Sequence, residues 1–99
     1  MVTITAILRA KPGAAEILRQ ALLDVAANVQ ANEPGTVGFF IAQDHADPMV
    51  FATYERFIDQ AAMDRHNGSA AVARFFEIAK PILDGPVTLL TCAELSAKA

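Results

Sequence analysis

The chain is poor in the residues that most often announce a function. It has one cysteine, no tryptophan, two histidines and five glycines among 99 residues. A lone Cys92 excludes an intramolecular disulfide, and with two histidines beside it no zinc pattern of recognised spacing exists. It reads as a small apolar residue of the last strand. The glycines stand apart, with no G-x-G-x-x-G after a strand, so flavin, nicotinamide and phosphate fingerprints are missing and no cofactor is expected. No run of about 18 apolar residues occurs, and the N-terminus lacks a signal peptide's charged region followed by a long apolar core. A soluble, cytoplasmic protein without a membrane partner is the expectation. Positive charge is scarce too: eight Lys and Arg against eleven Asp and Glu give a net charge of -3. The basic residues are scattered, which argues against nucleic acid and for a small-molecule partner.

What the chain has in quantity is apolar residues, at 54%. A chain of this length forms one domain, residues 1–99, and buries about 60 to 65% of its unfolded surface. So much apolar content leaves some for a second copy to cover, and a homodimer is expected.

In chain order, Val2 to Arg9 is rich in β-branched residues and reads as a strand ended by Lys11, Pro12 and Gly13. From about Ala14 to Gln30 the spacing turns helical, with Ile17, Ala21, Val25 and Val29 at intervals of four and Leu18 and Leu22 widening the stripe. Asn32, Glu33, Pro34 and Gly35 break it. Thr36 to Gln43 is a second strand with Phe39 and Phe40 on opposite faces, and the polar turn Asp44 to Pro48 makes a hairpin into a third strand from Val50.

That third strand leads into the most suggestive stretch, Val50 to Phe76. Phe51, Thr53, Glu55 and Phe57 share one strand face; Ala52, Tyr54 and Arg56 share the other. Asp59 caps a helix over Gln60 to Arg65, on which Ala62, Met63 and His66 are spaced i, i+1 and i+4, so the imidazole lies beside the apolar stripe. An inward imidazole near Tyr54 and Glu55 can serve as an acid, a base or a hydrogen-bond donor. A packed structural histidine has the same spacing. Ser69 caps a further helix to about Ile82 with Val72, Phe75, Phe76 and Ala79 inward, and Val87 to Leu95 is the fourth strand. The order is βαββαβ with the second helix split, a ferredoxin-like α+β unit: a four-stranded antiparallel sheet with helices on one face. The other face needs a cover, and pairing of two sheets face to face would supply it.

The run EPGT at Glu33 to Thr36, DP at Asp47 and Pro48, F-x-x-Y-E-x-F from Phe51 to Phe57, and A-x-x-x-H ending at His66 with Ser69 after it resembles the antibiotic biosynthesis monooxygenase family. That family includes quinol monooxygenases, aromatic polyketide oxygenases and autoinducer-2 degrading proteins. The resemblance runs from Val2 to Leu95 and implies a dimeric α+β barrel. It matches His66 to the family's common histidine and Tyr54 and Glu55 to its Tyr-Glu pair, while Phe57 stands where many members have Trp or Tyr. Where a second histidine often follows, this chain has Ala71. The haem-degrading branch resembles the chain in fold, but its Asn, Trp and His triad falls here on Thr5, His66 and Phe76, so haem degradation is not expected.

The function these residues point to is a cofactor-independent oxidation of a small aromatic or quinol-like compound, in which deprotonation yields an anion able to pass an electron to oxygen. His66 would be the base or the donor holding the phenolate, Tyr54 or Glu55 would orient the ring or the imidazole, and Phe39, Phe57, Phe75 and Phe76 would form the apolar wall. Phenylalanines at such spacing more often form an ordinary core, and Glu55 fits an ion pair with an arginine such as Arg56 or Arg74. A non-catalytic binder, or a non-oxidative isomerase-like enzyme, uses the same scaffold and the same lined pocket.

Overall fold

In a computed structural model, which describes residues 1–98, four strands and three helices follow in the order β1 (Val2–Arg9), α1 (Ala15–Asn32), β2 (Thr36–Gln43), β3 (Val50–Phe57), α2 (Gln60–Asn67), α3 (Ala70–Ala79) and β4 (Thr88–Ala93). The sheet is antiparallel with spatial order β2-β3-β1-β4. Placing β1 and β3 at the centre is the ferredoxin-like arrangement, and the helices lie on one side of it.

Period-two alternation decides which side chains go under the helices. Ile4, Ala6 and Leu8 of β1 and Phe51 and Phe57 of β3 are buried there. Against them α1 packs Leu18, Ala21, Leu22, Val25 and Val29, and α3 adds Phe75 and Ala79. The burial of this set, at about 25 cal/mol per Å² of apolar area, is the main driving force for folding. A second, smaller cluster of Ile4, Phe57, Ala62 and Met63 anchors α2.

Several boundaries and faces differ from the sequence expectation. Ile17 is exposed, because the stripe is centred on Leu18 and Leu22 and leaves Ile17 on its flank. The last helix stops at Ala79 instead of Ile82, since Pro81 has no N–H to continue the ladder, and Ile82 and Leu83 instead turn back onto the Ala79 carbonyl. Phe76 is half exposed rather than inward, meeting Phe75 edge-on at 5.1 Å. The fourth strand ends at Ala93, and Leu95 is exposed.

Among the described residues the opposite sheet face carries no helix. Register places Thr5, Tyr54 and Phe40 across it in one row, with Leu90 beside Thr5 and Cys92 beside Thr3. Ile7, Phe40 and Leu90 are exposed there, an apolar surface on a single protomer. No helix among the described residues is long and apolar enough to cross a membrane.

Candidate functional site

Local rules bring three distant residues together under the sheet. Glu55 enters from β3, whose alternation turns Thr53 and Glu55 inward between Phe51 and Phe57. His66 enters from the last turn of α2, a helix started by Asp59, whose carboxylate accepts the Ala62 N–H at 2.8 Å. Glu33 enters from the C-cap of α1. Gly35, two residues on, makes the approach possible: a Cβ there would stand 2.8 Å from the Ala62 Cβ, so only glycine lets this loop lie against α2.

The result is an imidazole held on both sides. His66 Nδ1 lies 2.8 Å from Glu33 Oε1, and His66 Nε2 lies 3.2 Å from Glu55 Oε1. The Thr53 hydroxyl donates to Glu55 Oε2 at 2.8 Å, the Thr36 hydroxyl to Glu33 Oε1 at 2.8 Å, and the Asn28 amide to Glu33 Oε2 at 3.2 Å. Phe57 and Phe39 pack on the ring, with centroids 5.4 and 5.6 Å away. Glu55 and His66 are 7% and 4% exposed, so both polar groups depend on each other for partners. Among the described residues no buried side-chain N or O lacks one.

Burial pushes the His66 pKa down, but hydrogen bonds to Glu55 and Glu33 and the charges behind them outweigh it, so the net direction is up from 6.5. The C-terminal end of α2 favours a cation in the same sense. His66 thus becomes a stronger base than free imidazole. The two carboxylates approach the ring from opposite sides, so the donors share no common point, and among the described residues no group of His, Cys, Asp or Glu could hold a metal ion.

A cleft of about 90 Å³ opens between the sheet and α3, with Glu55, His66, Phe39, Phe75 and Phe76 on its walls. A wider groove of about 380 Å³ lies outside, between the end of α1 and the start of α3, with Glu33, Arg65 and Arg74 along it. It is the larger of the two, yet the buried acid-base groups sit at the smaller.

Five of the expected site residues therefore share the cleft. Phe57 lies behind the imidazole and is fully buried. Tyr54 is on the opposite sheet face, where its hydroxyl donates to Glu94 at 3.1 Å and its ring stacks on Phe40. There burial first, and then the Glu94 hydrogen bond, raise its pKa above the ordinary value. Tyr54 cannot orient the imidazole from there, because adjacent strand residues point to opposite faces. Glu55 pairs with His66, whereas Arg56 makes a bidentate pair with Glu94 at 2.8 Å in both contacts. Thr5 is on the outer face while His66 and Phe76 line the cleft, so the three residues matched to the haem triad are not brought together.

The site residue that the sequence does not announce is Glu33, which stands in a breaker cluster and opens the EPGT run without being marked as a partner of His66. One signal could have marked it. A carboxylate at the C-terminus of a helix opposes the macrodipole and needs compensating partners.

The profile of the antibiotic biosynthesis monooxygenase family matches residues 1–78. None of the curated proteins matches the sequence significantly. Among solved structures, PA3566 from Pseudomonas aeruginosa shares 28% identity and a TM-score of 0.87, covering 96% of this chain and 94% of its own. Rv0793 from Mycobacterium tuberculosis shares 21% identity at a TM-score of 0.90, covering 99% and 98%. A candidate antibiotic biosynthesis monooxygenase from Caulobacter crescentus shares 22% identity at 0.89, covering 96% and 90%. The last two likenesses show the fold.

Proposed function

The chain belongs to the antibiotic biosynthesis monooxygenase family, and on that premise we propose that it is a cofactor-independent monooxygenase of a small aromatic or quinol-like compound, with His66 as the base. The observation that carries this reading is an imidazole buried between two carboxylates in the wall of an apolar cleft. Such a cleft suits a phenol: it takes the ring against Phe39, Phe75 and Phe76 and the hydroxyl against the polar wall. Loss of the hydroxyl proton leaves an electron-rich anion that can reduce dioxygen by one electron, and the resulting radicals combine. With an anthrone-type substrate the balance closes without an external reductant. Two C–H bonds give way to one C=O, one oxygen atom stays in the product, and the other leaves as water. A hydroquinone balances in the same way: it becomes a hydroxyquinone by gaining one oxygen atom, and the two hydrogens it loses leave with the other oxygen as water.

The cleft is smaller than the cavity of about 150 Å³ that holds a benzene, so a ring enters only when the wall gives way, and its exposed side chains Phe76 and Leu89 have the room to move. That favours a one-ring quinol over a wide polycycle. The same reading takes the protein as a homodimer. A second copy covers the outer sheet face at Ile7, Phe40, Tyr54 and Leu90, and the pair buries more than about 1,200 Å² in total.

Oxygen uptake with a panel of hydroquinones and anthrones tests the activity. Uptake matched by oxygenated product supports it. Binding of these compounds without uptake would transfer the scaffold to the other reading, a non-catalytic binder or an isomerase-like enzyme.

A further inference from the structure

Glu33 stands where a carboxylate is unfavourable, at the negative end of α1, with its side chain 13% exposed. Two donors hold it there, the Thr36 hydroxyl and the Asn28 amide, and His66 Nδ1 lies 2.8 Å from its Oε1. Asn28 is itself fixed by the Asn32 amide at 2.9 Å. Glu33 does not reach the cleft, and it faces the outer groove instead. The imidazole therefore spans the wall, with Glu55 on the cleft side of the ring and Glu33 on the groove side. Among the described residues, the charged groups that line the groove with Glu33 are Arg65 of α2 and Arg74 of α3.

We propose that Glu33 is a positioning residue for proton transfer: it keeps the proton of neutral His66 on Nδ1, so that Nε2 is the lone pair on which the substrate's phenolic proton, passed through the Glu55 carboxylate, comes to rest. The proposal rests on the oxygenase reading for the identity of the proton donor. In the step, the substrate O–H bond breaks and its electron pair stays on the phenolate oxygen. The proton bonds first to Glu55 Oε1 and then to Nε2, 3.2 Å away. The ring passes from neutral to imidazolium between two carboxylates, which compensate a charge that would otherwise be costly to bury. Nε2 faces Glu55 Oε1 at 3.2 Å, so the substrate hydroxyl meets Glu55 before it meets the ring.

The test has two parts. Nitrogen-15 spectra of the uniformly labelled wild-type protein, recorded above the His66 titration midpoint, report which nitrogen keeps the proton. The proposal requires Nδ1, and a proton on Nε2 overturns it. Glu33→Gln preserves the shape and removes the charge. It should lower the His66 midpoint and move the rising limb of kcat/KM against pH, measured with a hydroquinone, downward by the same amount. The plateau should fall about 10-fold or more, since a weaker base removes a proton more slowly. A limb that stays put while the midpoint moves overturns the proposal, because the proton would then rest elsewhere. Absence of turnover by the wild type on every phenol would sink the oxygenase reading alone, and the spectra would still decide the place of the proton.

Discussion

Replacing Gly35 by alanine probes how the fold builds the site. The added Cβ would stand 2.8 Å from the Ala62 Cβ and 3.2 Å from an Arg65 guanidinium nitrogen. The arginine can swing away, but the Ala62 Cβ moves only with the α2 backbone. Carbon atoms in contact prefer about 3.5 to 4.0 Å, so loop and helix must part by roughly 0.7 Å or more. His66 lies one turn beyond Ala62 on the same face of α2. The same displacement therefore stretches its 2.8 Å contact with Glu33 toward about 3.5 Å, where a hydrogen bond is lost. Overpacking of this kind costs about 1 to 3 kcal/mol. For a domain of this size, each kcal/mol lowers Tm by about 4 to 8 °C, so a drop of roughly 4 to 24 °C is expected. Calorimetry at matched protein concentration measures the Tm, and an NMR pH titration of the same sample follows the His66 ring. The midpoint should fall back toward 6.5 as Glu33 recedes. A Gly35→Ala protein with wild-type melting and a wild-type His66 midpoint would refute the claim that this close approach holds Glu33 to the imidazole.

Three further outcomes are expected. His66 has a raised pKa in the folded state, so the stability it contributes is complete below 6.5 and is lost as pH rises through the folded value; wild-type Tm should decline across that window and the decline should be smaller in Glu33→Gln. Phe57→Ala empties a fully buried site against the imidazole and should cost about 3 to 5 kcal/mol in urea unfolding, whereas an effect under 1 kcal/mol would show that the ring is not packed there. On the outer face, Leu90→Lys puts a charge into the expected dimer contact and should give a monomer by light scattering with an unchanged helical CD spectrum; a dimer that persists would show that the copies meet elsewhere.

The sheet was legible because β3 alternates without interruption: Phe51, Thr53, Glu55 and Phe57 are all buried, as period two requires. Asp59 and Ser69 were readable as caps, and both side chains accept helix N–H groups. His66 was readable as inward from its place one turn after Ala62. Its partners were not equally readable. Glu55 was on the right face, yet an arginine was as plausible a partner until the register showed Arg56 pointing the other way to Glu94. Glu33 joins His66 across 33 positions of chain, through a loop whose path depends on Gly35 meeting Ala62. Local periodicity carries no information about such a contact. Phe76 was misplaced for a related reason: a helix stripe shows which residues are apolar, and packing of the neighbouring elements decides how far round the helix is covered.

If His66 accepts the substrate proton, His66→Gln must lose turnover without losing the fold, which is read by measuring melting temperature and turnover of one quinol-like substrate on the same folded sample. Glutamine can still bond one of the two carboxylates but cannot take a proton. Turnover below the melting transition should fall about 10²-fold or more, the low end of what lost acid-base catalysis costs. A variant that melts earlier than the wild type yet keeps its specific activity at temperatures where it is folded would contradict the account and leave His66 as a structural histidine.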